Sequence, residues 1–321
     1  MKPKVFITRK IPEAGLTPIR AVCDADIWDD PLPPPRNVLL ERVRGVDGIL
    51  SLLTDKIDAA VMDAAGAQLK VISNYAVGYD NIDIPAATAR GIAVGNTPGI
   101  LTETTADFAF ALLLAAARRV VEGDKFVRAG KWQTWGPRLL LGAEVHGATM
   151  GLVGFGRIGQ AMARRAAGFG MRVLYHRRHD SPAAESLGAV RVDFETLLRE
   201  SDFVSLHVPL TEQTYHLLDA RAFRLMKKSA ILINTARGGV VDPDALYSAL
   251  KNGEIAFAAL DVTEPEPIPA DSPLLTLENV VIAPHLGSAT HTTRDKMAVM
   301  AAENLLAGVF GKPLPHAVEQ K

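Results

Sequence analysis

Residues 149–176 contain the feature that most constrains the fold: an apolar run, a glycine-rich loop, an amphipathic segment and a second apolar run. The loop has the spacing Gly154-x-Gly156-x-x-Gly159. A strand, a tight turn, a helix and a second strand within about thirty residues form a βαβ unit, the context in which this spacing binds a dinucleotide. Gly154 would allow the turn, Gly156 would let the backbone approach a pyrophosphate, and Gly159 would let the helix pack closely on the sheet. The alternative is a purely structural turn.

The same alternation of strand-like and helix-like segments extends along almost the whole chain. Apolar strands separated by helices predict a parallel sheet with helices on both faces. At 321 residues the chain is long enough for two domains of ordinary size. We therefore expect an α/β protein with two doubly wound parallel-sheet domains. The predicted strands are residues 5–8, 24–28, 48–53, 70–75, 91–96, 149–155, 172–176, 202–208, 230–236, 257–262 and 279–285, with long helices over 101–119 and 289–306.

Composition narrows the classes of partner. Lys and Arg number 35 against 36 Asp and Glu, whereas proteins that bind nucleic acid are usually strongly basic. The longest apolar stretch, residues 108–117, is too short to span a bilayer, and the N-terminus has no signal-peptide pattern. The single cysteine, Cys23, leaves no disulfide framework within the chain. We expect a cytoplasmic protein that binds neither nucleic acid nor membrane.

The residues after the second strand of the βαβ unit indicate which dinucleotide binds. In an NAD site this strand ends at an acidic residue that binds the ribose hydroxyls. Here the strand ends at His176, and Arg177 and Arg178 follow. A guanidinium can bind a 2′-phosphate through a forked, charge-assisted hydrogen bond. The sequence therefore predicts NADP(H) as the preferred cofactor, with NAD(H) possible. The alternatives are a solvated basic loop in an NAD enzyme and a metal site that uses His176 and His179.

Three further segments place chemically active side chains at predicted strand ends. INTARGGVVDPDAL contains Arg237, LDVTEPEP contains Asp261 and Glu266, and VVIAPHLGSAT contains His285. Taken alone, a histidine or an arginine after an apolar strand is commonly structural. We therefore considered these residues together with the rest of the chain.

These segments resemble the D-isomer-specific 2-hydroxyacid dehydrogenases, and the resemblance covers nearly the whole chain. NYAVGYDNID (74–83) and TPGILTETTADFAFALLLAAARR (97–119) are also typical of that family. Within it, residues 130–160 and 288–308 resemble the glyoxylate/hydroxypyruvate reductases. The resemblance implies a Rossmann cofactor domain over 99–288. This domain would be inserted in a flavodoxin-like substrate domain formed by 1–98 and 289–321, with the active site in the cleft between them.

The resemblance also assigns roles to residues. His285 would donate a proton to the substrate carbonyl, because histidine titrates near neutral pH. Glu266 beside it would stabilise the imidazolium form. Arg237 would bind the substrate carboxylate and polarise the oxo group. The backbone N–H groups of Val77 and Gly78 would bind the carboxylate from the other side.

A larger set of residues is implied to bind the cofactor. Its members lie in the glycine loop, in the basic segment after the second strand, and at the ends of later strands. The set is Thr105, Gly154, Phe155, Gly156, Arg157, Ile158, Gly159, Arg177, Arg178, Val208, Pro209, Thr214, Thr235, Ala236, Arg237, Asp261, His285 and Gly287.

The predicted function is an NADPH-preferring reductase that converts glyoxylate and hydroxypyruvate to D-2-hydroxy acids. The alternatives are another D-2-hydroxyacid dehydrogenase that uses NAD, or a corepressor-like protein that senses dinucleotides without catalysis. The resemblance implies a homodimer in which a segment like Trp132–Trp135 reaches the partner's active site, although these tryptophans could instead pack between domains or subunits. We expect the remaining histidines, including His146, His207, His216 and His291, to be structural or solvated, with His291 nearest the site.

Overall fold

The computed structural model describes residues 1–319, which divide into two compact units. The first unit contains Met1–Leu101 and the described residues from Ala289 onward, and the second unit is Thr102–Ser288. Each unit is built on one parallel sheet. Among the described residues, no helix combines the length and apolar character needed to cross a membrane.

The first unit has a five-stranded sheet in the order β2-β1-β3-β4-β5. Neighbouring residues of β1 face opposite sides, as the pleat of a strand requires. Val5 packs with α1 and α11 on one face, and Phe6 packs with α2 and α3 on the other. The elements are β1 (Lys4–Ile7), α1 (Glu13–Val22), β2 (Asp24–Ile27), α2 (Arg36–Arg42), β3 (Gly48–Ser51), α3 (Ala59–Ala65), β4 (Val71–Asn74), α4 (Ile84–Ala89), β5 (Ala93–Gly95) and α11 (His291–Val309).

The second unit has a seven-stranded sheet in the order β12-β11-β10-β9-β6-β7-β8. One face is covered by α5 and α7 and the other by α8, α9 and α10. The strands are β6 (Thr149–Val153), β7 (Arg172–His176), β8 (Ala189–Arg191), β9 (Phe203–Leu206), β10 (Ile231–Asn234), β11 (Phe257–Leu260) and β12 (Val280–Ile282). The helices are α5 (Thr102–Ala117), α6 (Val120–Arg128), α7 (Arg157–Gly168), α8 (Phe194–Glu200), α9 (Ala220–Leu225) and α10 (Pro243–Lys251).

The strand order of the second unit determines where a ligand binds. The chain runs outward from β6 to β7 and β8, and then crosses to β9 on the other side of β6. Loops at the carboxyl ends of β6 and β9 therefore diverge and leave a crevice. In open parallel sheets, ligands bind at such a point.

The predicted fold class is confirmed, since both sheets are parallel and covered by helices on both faces. The predicted strand over 149–155 is too long, because the chain turns at Gly154, where φ is +94°. The predicted helix over 101–119 also ends early, because Arg119 adopts a left-handed conformation. Strand β8 was not predicted, because it has three residues and carries no apolar run.

Candidate functional site

Gly154 forms the turn that follows β6. Its left-handed φ suits glycine, which has no Cβ to clash with the backbone. A Cβ at this position would also overlap the backbone carbonyl of His207, just after β9. A Cβ on Gly159 would overlap the carbonyl oxygen of Gly154, so the first turn of α7 packs against the loop as well as the sheet. Close backbone packing therefore requires glycine at both positions.

Gly156, the N-cap of α7, has different surroundings. A Cβ there would meet no atom within 4 Å, so the space in front of it is open. No side chain caps the helix, and Arg157 and Ile158 in its first turn are exposed and half-buried. The first N–H groups of a helix lack acceptors within the helix and attract anions. The ring of Phe155 is buried and stacks on Tyr175, so only the Phe155 backbone can reach a ligand here.

The segment after β7 presents two arginines without a competing carboxylate. Its one acidic residue, Asp180, accepts a hydrogen bond from Arg191 Nη1 at 2.8 Å. Arg191, on β8, also donates to the carbonyl oxygens of Arg177 at 3.3 Å and Arg178 at 2.8 Å. Within residues 1–319, the guanidinium groups of Arg177 and Arg178 form no ion pair; that of Arg178 lies 3.4 Å from Gln213 Oε1. Arg191 therefore holds the backbone that presents both arginines.

The residues after β9, which include the predicted cofactor residues Val208, Pro209 and Thr214, have different surroundings. His207 Nε2 lies 2.9 Å from Ser205 Oγ, and removal of the ring from water lowers the pKa of His207 to about 4. Val208 is half-buried beside Gly154, and Pro209 is exposed. Thr214 donates to the Pro209 carbonyl at 2.6 Å and thereby closes the loop after β9. The Thr214 hydroxyl thus helps to shape this loop.

The turn after β10 is fixed by the side chain of Asn234. Its Oδ1 accepts from the N–H of Ala236 at 3.0 Å, and its Nδ2 donates to the carbonyl of Arg237 at 2.9 Å. Thr235, between them, has a buried hydroxyl oxygen with no hydrogen-bond partner among the described residues. A buried polar atom without a partner is costly, so it marks a place where a ligand fits. Asn234 was not among the predicted site residues.

Asp261 shapes the loop that carries His285. Its two carboxylate oxygens accept from the N–H groups of Leu286 at 2.6 Å and Gly287 at 2.7 Å. Burial raises the pKa of Asp261, and these two N–H groups and nearby His285 oppose that rise. Thr105 is buried against Gly287, where a Cβ would lie 3.3 Å from the Thr105 methyl group. The Asp261 carboxylate therefore holds the backbone of the loop that carries His285.

His285 and Glu266 form a close pair. Glu266 follows β11, and His285 follows β12 and has a left-handed φ of +56°. The histidine Nδ1 donates to Glu266 Oε1 at 2.6 Å. The two side chains are 26% and 34% exposed. Because Nδ1 is used by Glu266, Nε2 is the ring nitrogen left for a substrate.

In the first unit, Val77 and Gly78 lie in the loop that follows β4. Both residues are half-buried, and their carbonyl oxygens accept hydrogen bonds from asparagine side chains. The two tryptophans of the predicted dimer segment, Trp132 and Trp135, belong to the second unit. They are 60% and 79% exposed.

The remaining histidines lie in varied surroundings. His216 Nε2 lies 2.6 Å from Glu264 Oε2, whereas His146 and His291 are exposed. His176 Nδ1 lies 3.2 Å from the Val192 carbonyl oxygen. Among the described residues, no group of three or more His, Cys, Asp or Glu side chains could hold a metal ion.

The carboxyl edge of the second sheet therefore fits a dinucleotide. Gly156 and the uncapped start of α7 leave room and donors for a pyrophosphate. The buried Thr235 hydroxyl provides a polar group with no internal partner. The His285–Glu266 pair follows two strands of the same sheet.

Known proteins are similar to this chain in sequence and in fold. Residues 110–287 match the family described as D-isomer specific 2-hydroxyacid dehydrogenase, NAD binding domain. The chain is 59% identical to a glyoxylate reductase of Korarchaeum cryptofilum, and the alignment covers 100% of this chain and 97% of the relative.

Solved structures agree with this similarity. A protein of Thermus thermophilus has a TM-score of 0.93 at 50% identity, with 98% of this chain and 100% of that chain covered. An NADPH-dependent glyoxylate/hydroxypyruvate reductase of Sinorhizobium meliloti, solved with NADP and malonate, has a TM-score of 0.88 at 33% identity. That alignment covers 100% of this chain and 98% of the other.

Proposed function

Because this chain belongs to the D-isomer specific 2-hydroxyacid dehydrogenase family, we propose that it is an NADPH-preferring reductase of glyoxylate and hydroxypyruvate. Family membership makes it an NAD(P)-dependent oxidoreductase of small 2-oxo and 2-hydroxy acids, and it confirms the resemblance indicated by the sequence motifs. The observation that carries the proposal is the hydrogen bond between His285 and Glu266, on the same sheet as the glycine loop.

His285 is proposed as the proton donor. The bound nicotinamide would supply the hydride for the carbonyl carbon, and the Nε2–H of protonated His285 would give its proton to the carbonyl oxygen. Glu266 would hold the ring through Nδ1 and stabilise its positive charge before transfer. Asp261 would fix the backbone from which His285 projects.

The substrate carboxylate would be bound by two kinds of donor. Arg237 would supply a planar, charged fork that also polarises the oxo group. Val77 and Gly78 would supply backbone N–H groups from the first unit. By the family pattern, we assign residues 1–98 and 289–321 to the substrate domain and 99–288 to the cofactor domain.

The preference for NADPH is inferred from the end of β7. Asp180, the one carboxylate there, is paired with Arg191, so it does not neutralise Arg177 or Arg178. A 2′-phosphate would meet two guanidinium groups and no acid. The NADP bound by the Sinorhizobium meliloti relative is consistent with this choice.

Two further assignments stay proposals. The exposure of Trp132 and Trp135 favours a homodimer in which this segment is covered by a second copy. We also propose a cytoplasmic location, because the single cysteine leaves no disulfide framework within the chain.

The test is a matrix of kcat/KM for glyoxylate, hydroxypyruvate and two other 2-oxo acids with NADPH and NADH. We expect the largest values for glyoxylate or hydroxypyruvate, and NADPH favoured by about tenfold or more, equivalent to about 1.4 kcal/mol. Equal use of NADH would remove the cofactor proposal. Tight NADPH binding without turnover of any 2-oxo acid would instead indicate a dinucleotide sensor.

His285→Ala tests the proton donor in the same assay. We expect turnover to be abolished while the Kd for NADPH stays within twofold of the unmodified protein. His146→Ala, at an exposed histidine outside the site, is the matched control and should keep full activity. Retained turnover in His285→Ala would refute the assigned role.

A further inference from the structure

In the loop after β4, successive backbone carbonyl groups form hydrogen bonds within the described part of the first unit, whereas successive backbone N–H groups do not. The carbonyl oxygens of Ala76, Val77 and Gly78 all accept hydrogen bonds from within the first unit. The N–H groups of Val77, Gly78 and Tyr79 have no acceptor among the described residues. Successive N–H groups without internal acceptors are available to an anion.

Two asparagine side chains bind two of these loop carbonyl groups. Asn96, after β5, donates through Nδ2 to the Val77 carbonyl at 2.7 Å. Asn74, the last residue of β4, donates through Nδ2 to the Gly78 carbonyl at 2.8 Å. Both side chains belong to buried residues, with 8% and 0% exposure.

The planarity of the peptide links each carbonyl to the next N–H. In a trans peptide the C=O of one residue and the N–H of the next point in opposite directions. A Val77 carbonyl held toward Asn96 therefore directs the Gly78 N–H away from Asn96. A Gly78 carbonyl held toward Asn74 directs the Tyr79 N–H away from Asn74 in the same way. The Ala76 carbonyl, bonded by the Thr97 N–H at 2.9 Å, does this for Val77.

The Asn74 amide and the backbone of Asn96 are themselves held by hydrogen bonds. Asn74 Oδ1 accepts from the hydroxyl of Ser51 at 3.0 Å, so the amide group cannot rotate without losing this bond. The Asn96 backbone carbonyl accepts from Asn304 Nδ2 on α11 at 2.9 Å. The first bond holds the Asn74 amide, and the second holds the backbone that carries the Asn96 amide.

We propose that Asn74 and Asn96 are positioning residues for the substrate carboxylate, because they orient the Gly78 and Tyr79 N–H groups toward it. The inference rests on the proposed function and adds two side chains and a third backbone donor, Tyr79, to the carboxylate site. Without the asparagine amides, each peptide could rotate and present a carbonyl oxygen, which repels an anion.

The test replaces Asn96 by leucine, which has a similar size and no donor. We expect the KM for glyoxylate to rise by about tenfold while kcat and the KM for NADPH stay within twofold, because one preorganised donor, the Gly78 N–H, is lost only from substrate binding. The Kd of oxalate measured by calorimetry with NADP⁺ present should rise by a similar factor. If the leucine variant does not fold, Asn96→Ser, which shortens the donor, is measured instead.

Ser73→Ala is the matched control for a merely structural role. Ser73 precedes Asn74 on β4, is buried, and donates to the Ala301 carbonyl at 2.7 Å, so its loss removes a buried hydrogen bond without touching the loop carbonyls. We expect a lower melting temperature and an unchanged KM for glyoxylate. An unchanged KM and Kd in the Asn96 variant, or an equal rise in Ser73→Ala, would overturn the inference. Failure of the proposed function is separate, because it would appear as absent turnover in the unmodified protein.

Discussion

The glycines of the loop after β6 allow a paired test, because one has no room for a methyl group and the other has open space in front of it. A Cβ on Gly154 would overlap the backbone of His207, whereas a Cβ on Gly156 would meet nothing within 4 Å. Gly154→Ala should therefore destabilise the folded protein, and Gly156→Ala should weaken NADPH binding without destabilising it. Gly168→Ala, at the end of α7 with open space around it, is the control for adding a methyl group to this helix.

The magnitudes follow from the two environments. Alanine at the left-handed φ of Gly154 costs about 1–2 kcal/mol, and overpacking against backbone costs about 1–3 kcal/mol more. The lower entropy of the unfolded chain returns about 0.4–1 kcal/mol. A net loss of about 2–4 kcal/mol corresponds to a fall in Tm of about 4–16 °C for a domain of this size. At Gly156, the loss of about 1 kcal/mol from a poorer N-cap is nearly cancelled by the same entropy gain.

The assay combines calorimetry of the protein without cofactor and a fluorescence titration with NADPH. In Gly156→Ala, a methyl group in the space of the pyrophosphate should remove one or two charge-assisted hydrogen bonds, and the Kd should rise by about 10–100-fold. Gly168→Ala should change neither the Kd nor the stability by much. The reasoning would be refuted if Gly156→Ala bound NADPH with unchanged affinity, or if it melted as early as Gly154→Ala.

Three further substitutions test other parts of the second unit. Arg191→Met removes the hydrogen bonds to the carbonyls of Arg177 and Arg178, so it should raise the KM for NADPH by about tenfold and leave the KM for NADH unchanged. The control Arg172→Met, which breaks an exposed ion pair with Glu200, should change neither KM. A parallel rise in the KM for NADH in Arg191→Met would contradict this prediction. Asp261→Asn should destabilise the protein by about 1–3 kcal/mol in calorimetry, because the new amide NH2 group would face one of the two loop N–H groups that the carboxylate accepts from. The variant should also have a lower kcat and an unchanged KM for NADPH. Unchanged stability would exclude the role of Asp261 in holding this loop. His207→Gln should make the fall in Tm between pH 6.5 and pH 4 less steep. The pKa of His207 in the folded protein lies at about 4, below its ordinary value, so only the unfolded chain gains this proton as the pH falls through that window. The contribution to stability is at most about 3 kcal/mol, and an unchanged dependence of Tm on pH would disprove it.

The parallel sheets and the glycine loop could be predicted from the sequence because their signals are local. Most strands are apolar runs, and the spacing of Gly154, Gly156 and Gly159 falls between a strand and a helix. The pairing of His285 with Glu266 came from the family resemblance, since the two residues are nineteen positions apart and follow different strands.

The residues that hold the site in place could not be predicted in this way. Asn234, Asn74 and Asn96 act through hydrogen bonds to loop carbonyls, and a lone asparagine near a strand end has no distinctive pattern. The hydroxyl of Thr214 donates to a backbone carbonyl of its own loop, a contact that the sequence does not indicate. Such roles depend on which backbone atoms the folded chain brings close.

The basic segment after β7 shows how a missed edge strand changes a functional argument. In the sequence, Asp180 is the one acidic residue beside Arg177 and Arg178. In the folded unit, β8 pairs with β7 and brings Arg191 to Asp180, so the carboxylate is used by a residue outside the segment. The guanidinium of Arg191 also donates to the carbonyl oxygens of Arg177 and Arg178 and so holds the backbone of this basic loop. Which charges β8 has already paired therefore matters more than how many the segment contains, and the proposed selectivity for a 2′-phosphate would depend on Arg191 as well as on Arg177 and Arg178.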